Sequence, residues 1–241
     1  MPVRGAGSVS DYLSGIAQAQ QTTERARAEL TRQAERSLQA DQLLQENARL
    51  RALLELRARL SVRTRAAEVL YDAPDPYTRK IIIDRGSSQG VQHGSPVINE
   101  AGVLGQVTQV YALSAEVTLL SDKDAAIPVL NVRTQQRSAA FGSGDADLME
   151  LRFMAGNADV QAGDALTTSG VDGVYPPGLP VARVEKVERQ VDAVFARIYC
   201  VPLAMVSGTT HVLVLDPLSS QMPARPAPDA LVASPKGAGL R

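Results

Sequence analysis

Between Ile16 and Ala73 the chain contains neither glycine nor proline and is rich in Ala, Arg, Glu, Gln and Leu. These are good helix formers and nothing interrupts them, so the pattern predicts one long helix over 16–64. Its first half is polar. In the second half Leu43, Asn47, Leu50 and Leu54 follow one another at spacings of 4, 3 and 4, the seam of a left-handed coiled coil. Asn47 then takes a core position, where it pairs with its counterpart on a second chain and sets the register of a parallel dimer. Leu53, Leu56 and Leu60 form a second, offset stripe suited to packing on a following domain. A single amphipathic helix lying on its own globular domain is the competing reading, and the polar first half leaves such a helix little to pack on.

After Pro74 the texture changes to short runs of Val, Ile and Leu bounded by Gly, Asp, Asn and Ser. Twelve strands are predicted, at 66–70, 80–84, 95–98, 103–110, 116–120, 126–132, 138–141, 148–153, 165–168, 181–187, 197–201 and 211–215. No helical segment separates them, which favours sandwiches or barrels over βαβ units. The stretch Val91-Gln92-His93-Gly94-Ser95-Pro96-Val97 echoes Val160-Gln161-Ala162-Gly163-Asp164-Ala165-Leu166. Further on, Val107 and Val110 parallel Val184 and Val187. Twelve strands over two similar units leave six for each, a size that closes a small barrel. The expected fold is therefore mainly β with an N-terminal long helix, a coiled coil followed by two small six-stranded β-barrel domains. The barrels are expected over 65–150 and 151–216, with strand exchange between them allowed. Residues 1–15 are expected as a flexible start, and 217–241, where prolines fall among Ala, Ser and Gly, as a disordered tail.

Composition narrows the chemistry. The chain has 241 residues, net charge −1, 44% hydrophobic and 21% charged residues, all within folded-protein usage. Aromatics are 4% with no Trp, too few for a stacking platform, and near-neutral charge offers no broad phosphate-binding surface, so no nucleic-acid partner is expected. Two His and one Cys leave almost nothing for a structural zinc site, which wants four such ligands, and the single Cys200 excludes an intrachain disulfide. No apolar run approaches the roughly 20 residues that span a bilayer, and Met1-Pro2-Val3-Arg4-Gly5 does not open a signal peptide. Taken literally the chain is soluble and cytoplasmic; taken as part of a longer protein it is the soluble portion of an anchored one.

Catalytic residues are scarce. A nucleophilic triad needs a base, and only His93 and His211 are available to Ser143 or Ser169, neither of which sits in a G-x-S-x-G elbow. The pairs Asp72/Asp75, Asp122/Asp124 and Asp145/Asp147 lie beside turn residues and lack a calcium-loop spacing, so they are read as turn caps. Cys200 falls on the same strand face as Ile198 and is read as core. No enzyme activity, cofactor or metal is expected. One segment stands out, Thr168 to Val181, in which Tyr175, Pro176, Pro177, Gly178 and Leu179 form a stiff loop carrying two bulky apolar groups. It serves either to plug a barrel end or to bind a partner, and the plug is favoured.

At this loop the chain resembles the MreC family of bacterial cell-shape proteins. The resemblance is carried by Thr168-Ser169-Gly170, by Tyr175-Pro176-Pro177-Gly178-Leu179-Pro180-Val181, and by Asp84-x-Gly86-x-x-x-Gly90-Val91-x-x-Gly94-x-Pro96-Val97. Gly102-Val103-Leu104-Gly105-Gln106-Val107 and Glu46-Asn47-x-x-Leu50-x-x-Leu53-Leu54 extend it over roughly 46–215. Tyr175 stands where the family usually has Phe, and Ala182 where it usually has Gly. The resemblance implies a non-enzymatic scaffold of the cell-elongation (rod) complex, on the periplasmic side of the inner membrane, with its single-pass anchor absent from this chain. It implies binding and activation of the elongation-specific class B penicillin-binding protein, together with RodA, MreD and, across the membrane, MreB, and self-association into dimers and filaments. Two other classes fit parts of the pattern: a degraded serine hydrolase, disfavoured for want of a base, and a periplasmic adaptor of an efflux or secretion system, disfavoured because one helix rather than a helical hairpin precedes the strands.

Overall fold

A computed structural model of the chain describes residues 6–60, 62–75, 77–144, 148–189, 195–205 and 207–218. Helix α1 runs from Ala6 to Arg59 and is followed by a turn in which Leu60 N–H donates to Arg57 O at 3.3 Å. The helix thus begins earlier than expected and includes Gly7 and Gly15, since each glycine costs a helix only about 1 kcal/mol. It also ends before Thr64, which opens the first strand. The first five residues of the expected flexible start, and 219–241 of the expected tail, lie outside the described residues. The helix to Ala52 is one unit and Leu53 onward another.

Twelve strands follow, each at a predicted place: β1 Thr64–Asp72, β2 Lys80–Ile83, β3 Pro96–Ile98, β4 Val103–Val110, β5 Ala115–Leu119, β6 Ala126–Asn131, β7 Arg137–Gly142, β8 Met149–Arg152, β9 Ala165–Thr168, β10 Pro180–Glu188, β11 Arg197–Pro202 and β12 His211–Leu215. They close into two six-stranded barrels, β1-β12-β3-β4-β5-β2 and β10-β11-β8-β7-β6-β9. The division differs from the expected one at residue 150. β6, β7 and the whole of β8 belong to the second barrel, and β12, after it in sequence, closes the first. The second barrel is therefore inserted between β5 and β12. Read around the barrels, β12-β3-β4-β5-β2-β1 matches β6-β9-β10-β11-β8-β7 strand for strand. Each barrel is one copy of the same six-strand unit, and the leading strand of the first copy is supplied from the far end of the chain.

The echoed segments are structurally equivalent. Gly94 and Gly163 both adopt positive φ, +82° and +93°. Gly94 N–H donates to Val107 O at 2.9 Å and Gly163 N–H to Val184 O at 2.7 Å. Val107 N–H returns to Ser95 O and Val184 N–H to Asp164 O, each at 2.9 Å. Both barrels thus enter the β3–β4 and β9–β10 hairpins through one turn, with Val91 and Val160 buried beneath it.

The barrels share a wall. Along β12, Val212 and Val214 point into the first barrel's core while Leu213 and Leu215 join the cluster that fills the second. β3 divides the same way between Val97 and Ile98, and β4 between Leu104 and Val103. A strand buried on both faces reads as an unbroken apolar run, as His211-Val212-Leu213-Val214-Leu215 does. Backbones meet here too: a Cβ on Gly102 would lie 2.4 Å from Pro180 O. The offset helical stripe also belongs to this cluster, with Leu53 buried and Leu56 and Leu60 packed against it.

Candidate functional site: a helical seam and the Tyr175 loop

On α1 the heptad residues face solvent. Leu43, Leu50 and Leu54 are 72%, 37% and 63% exposed, and Asn47 is exposed between them. An isolated helix with leucines in this state leaves apolar area in water that a second helix would cover. The seam is one candidate site.

The Tyr175 loop is the other, and its side chains turn inward. Tyr175 is 2% exposed and Leu179 is also buried, both within the second barrel's cluster. Thr168, at the end of β9, organises the loop. Its hydroxyl donates to Pro176 O and accepts from Leu179 N–H at 2.9 Å. Its backbone N–H donates to Leu179 O at 2.8 Å, and Gly178 N–H donates to Thr168 O at 2.9 Å. Asp172 Oδ1 caps Val174 N–H at 3.0 Å and Tyr175 N–H at 3.3 Å. Gly170, at φ +73°, packs its Cα face on the Pro177 ring, and Gly178 needs its φ of +86° to turn the chain back to β10. Burial pushes the Tyr175 phenol above its ordinary range. Leu218 N–H donates to Val174 O at 3.2 Å, so the chain end of the described residues is tied to the same loop.

Both serines weighed for chemistry, and the carboxylates of Asp75 and Asp122, are engaged by nearby backbone groups. Ser143 Oγ donates to Leu148 O at 2.8 Å and Ser169 Oγ to Pro128 O at 3.3 Å. Both serines lie in the second barrel, whereas His211 opens β12 of the first and His93 sits exposed in the turn before β3. Asp75 caps Tyr77 N–H, and Asp122 caps Arg79 and Asp124 N–H groups. Asp145 and Asp147 lie outside the described residues. Cys200 is buried, and desolvation pushes its thiol up to about 12, which makes it inert at neutral pH. Among the described residues no group of three or more His, Cys, Asp or Glu is placed to hold a metal. A cavity of about 450 Å³ lies beside Asp72, Asp75, Arg79, Lys80 and Thr209, walled by β2 and the connection before β12.

One cluster has no sequence signature. Arg133, in the β6–β7 turn, donates through Nε to Asp164 Oδ1 at 2.7 Å and through Nη1 to Asp159 Oδ2 at 2.9 Å. Asp164 also accepts from Asn131 Nδ2 at 2.7 Å and Gln161 N–H at 3.0 Å. The guanidinium, more than burial opposes it, holds the Asp164 carboxyl well below the usual carboxylate range. This network joins segments about thirty residues apart, a distance over which local pattern is silent.

A family model described as rod shape-determining protein MreC, barrel core, matches residues 69–216, more than half of the chain. The chain belongs to the MreC family. It is 36% identical over 148 residues to the cell shape-determining protein MreC of Escherichia coli, covering 61% of this chain and 40% of that protein. With the MreC of Haemophilus influenzae it shares 38% identity over 153 residues, covering 64% and 44%. The chain thus spans about two fifths of the length of these relatives. A solved MreC structure superposes with TM-score 0.68 at 37% identity, covering 72% of this chain and 99% of that one. A complex between a penicillin-binding protein and MreC from Helicobacter pylori supplies a further likeness, TM-score 0.51 at 15% identity, covering 64% and 98%, which is a likeness of fold. Membership in the MreC family displaces the efflux-adaptor and serine-hydrolase readings. No helix among the described residues is long and apolar enough to cross a membrane.

Proposed function

We propose that this chain is a non-enzymatic periplasmic scaffold of the cell-elongation machinery, which dimerises through α1 and binds the elongation-specific class B penicillin-binding protein through its barrels. The observation that carries the reading is the barrel-core family match over 69–216, supported by the fold likeness to an MreC solved with a penicillin-binding protein. The exposed leucines at 43, 50 and 54 support the dimer. In this reading α1 holds two barrel pairs side by side at a fixed register, Asn47 sets that register, and the Tyr175 loop keeps the second barrel rigid as a docking body. RodA, MreD and MreB complete the assembly. Titration of the penicillin-binding protein's soluble domain into this chain tests it. Saturable one-to-one binding per chain is expected, and absence of binding at micromolar concentrations overturns the reading.

A further inference from the structure

The two barrels share one topology but end differently. In the second, residues 169–179 join β9 to β10 and fold inward, so that Tyr175 and Leu179 fill the barrel end. The equivalent connection in the first, between β3 and β4, is the tight turn 99–102. Asn99 Oδ1 closes that turn by accepting from Ala101 N–H at 2.9 Å and Gly102 N–H at 3.2 Å. The turn carries no bulky apolar group, and at this same end of the first barrel lies the cavity of about 450 Å³. Register fixes its place: Leu104 near the start of β4, Leu119 at the end of β5, Lys80 at the start of β2 and Asp72 at the end of β1 all line it. A volume of this order is in the range of small-molecule sites. Its far wall, the connection before β12, is held in place by Asn99 Nδ2 donating to Thr209 Oγ1 at 3.2 Å and by Thr209 Oγ1 donating to Met205 O at 2.8 Å.

The floor of the cavity is apolar and its rim is charged. Val69, Leu104 and Leu119 form the floor. The bulge in β1 between Val69 and Tyr71 places Asp72 opposite Ile81, which is fully buried, so Asp72 stands on the inward face at the strand end. The last inward pair of β7 and β8 in the second barrel is Gly142 opposite Met149, both buried and uncharged. Arg79 precedes Ile81 by two and shares its face. Its backbone is fixed on both sides, with its N–H donating to Asp122 Oδ2 at 2.6 Å and its carbonyl accepting from Leu119 N–H at 2.8 Å. Lys80 is held by Glu116 at 2.9 Å, and Asp75 Oδ1 caps Tyr77 N–H at 2.9 Å. Among the described residues the Arg79 guanidinium and the Asp72 carboxylate take no hydrogen-bond or ion-pair partner, and both are exposed at the rim.

We propose that the open end of the first barrel binds a short free peptide with apolar side chains and both termini charged. Its side chains occupy on the apolar floor the place that Tyr175 and Leu179 take in the second barrel. Its carboxylate meets Arg79, whose guanidinium suits a two-pronged contact, and its ammonium meets Asp72. This ligand site goes beyond the scaffold reading and is measured on the chain alone, so its failure and failure of penicillin-binding-protein binding are separate results.

Methyl NMR of the full chain titrated with the dipeptide tyrosyl-leucine tests it. Saturable shifts are expected at the methyls of Val69, Leu104 and Leu119 and not at those of Leu179. Glycyl-glycine, which has both charges but no apolar side chain, should leave them unmoved. Acetylating the amino end of the probe or amidating its carboxyl end should each weaken binding about 10-fold or more, since each removes one charge-assisted contact. Arg79→Gln should weaken tyrosyl-leucine by a similar factor without further weakening the amidated probe, and Asp72→Asn should act likewise toward the acetylated one. Both residues are exposed, so both variants should keep the parent's melting temperature. Lack of saturation at about 10 mM tyrosyl-leucine overturns the proposal. So do blocked probes that bind as well as the free one, which would assign the cavity to an internal segment of a longer chain, and so does binding that neither substitution changes.

Discussion

Tyr175 shows how one residue holds a barrel end. Its ring is buried in the cluster that fills the second barrel, and the paired prolines behind it leave the loop little freedom to close a void. Tyr175→Ala should therefore lower unfolding free energy by about 3 kcal/mol, read from the urea midpoint at unchanged slope. Asp164 acts differently, through charge. Its carboxyl titrates lower in the folded chain than the ordinary 3.8, chiefly because Arg133 donates to it. The stability it contributes is fully present above that ordinary value and is lost as pH falls through the folded one. Melting temperatures followed from about pH 5 down to about pH 2 should fall more steeply for the parent than for Asp164→Asn. The two residues also differ in legibility. Tyr175 is marked by its Pro-Pro-Gly neighbours, whereas nothing near Arg133 announces a partner in the β9 approach. Phe153 misled the pattern: alternation after Met149 and Leu151 carries the predicted strand through it, whereas the strand ends at Arg152 and the ring is exposed.

At the scale of elements, periodicity carried most of the information. Twelve apolar runs became twelve strands because Val, Ile and Leu alternate with polar residues and Gly or Asp closes each run. The helix start was misplaced because Gly7 and Gly15, both within the helix, were read as punctuation. One glycine of an echoed turn and one within a strand make a test of why each is there. Gly163 has open space where a Cβ would go but a φ of +93°, so Gly163→Ala should cost only the backbone strain, about 1–2 kcal/mol. Gly105 has no positive φ, yet its Cβ would sit 2.2 Å from Thr118 O on the paired strand. Gly105→Ala should cost more than Gly163→Ala in parallel urea titrations, since backbone must move. On α1 the seam leads to a separate expectation. Asn47→Leu should tighten association of the chain while broadening its stoichiometry in sedimentation, because the polar pair that rejects other registers is gone.

At the scale of the molecule, local pattern identifies strands but not their barrels. Nothing in 211–215 says that this segment hydrogen-bonds to β1 and β3, on the far side of an inserted barrel. Its unbroken apolar run was the one available sign, since a strand at the edge of a single core would alternate. The shared wall has a thermodynamic consequence. β12, β3 and β4 each send side chains into both cores, so neither barrel can lose its packing without exposing the other's wall. Heating should give one cooperative transition for the two barrels, with calorimetric and van't Hoff enthalpies equal. Leu213→Ala sharpens the test, because Leu213 belongs to the first barrel by hydrogen bonding and to the second by packing. It should cost about 2–5 kcal/mol and lower hydrogen-exchange protection in β2 and β8 alike. Two resolved transitions, or loss of protection confined to one barrel, would show that the wall divides the molecule rather than joining it.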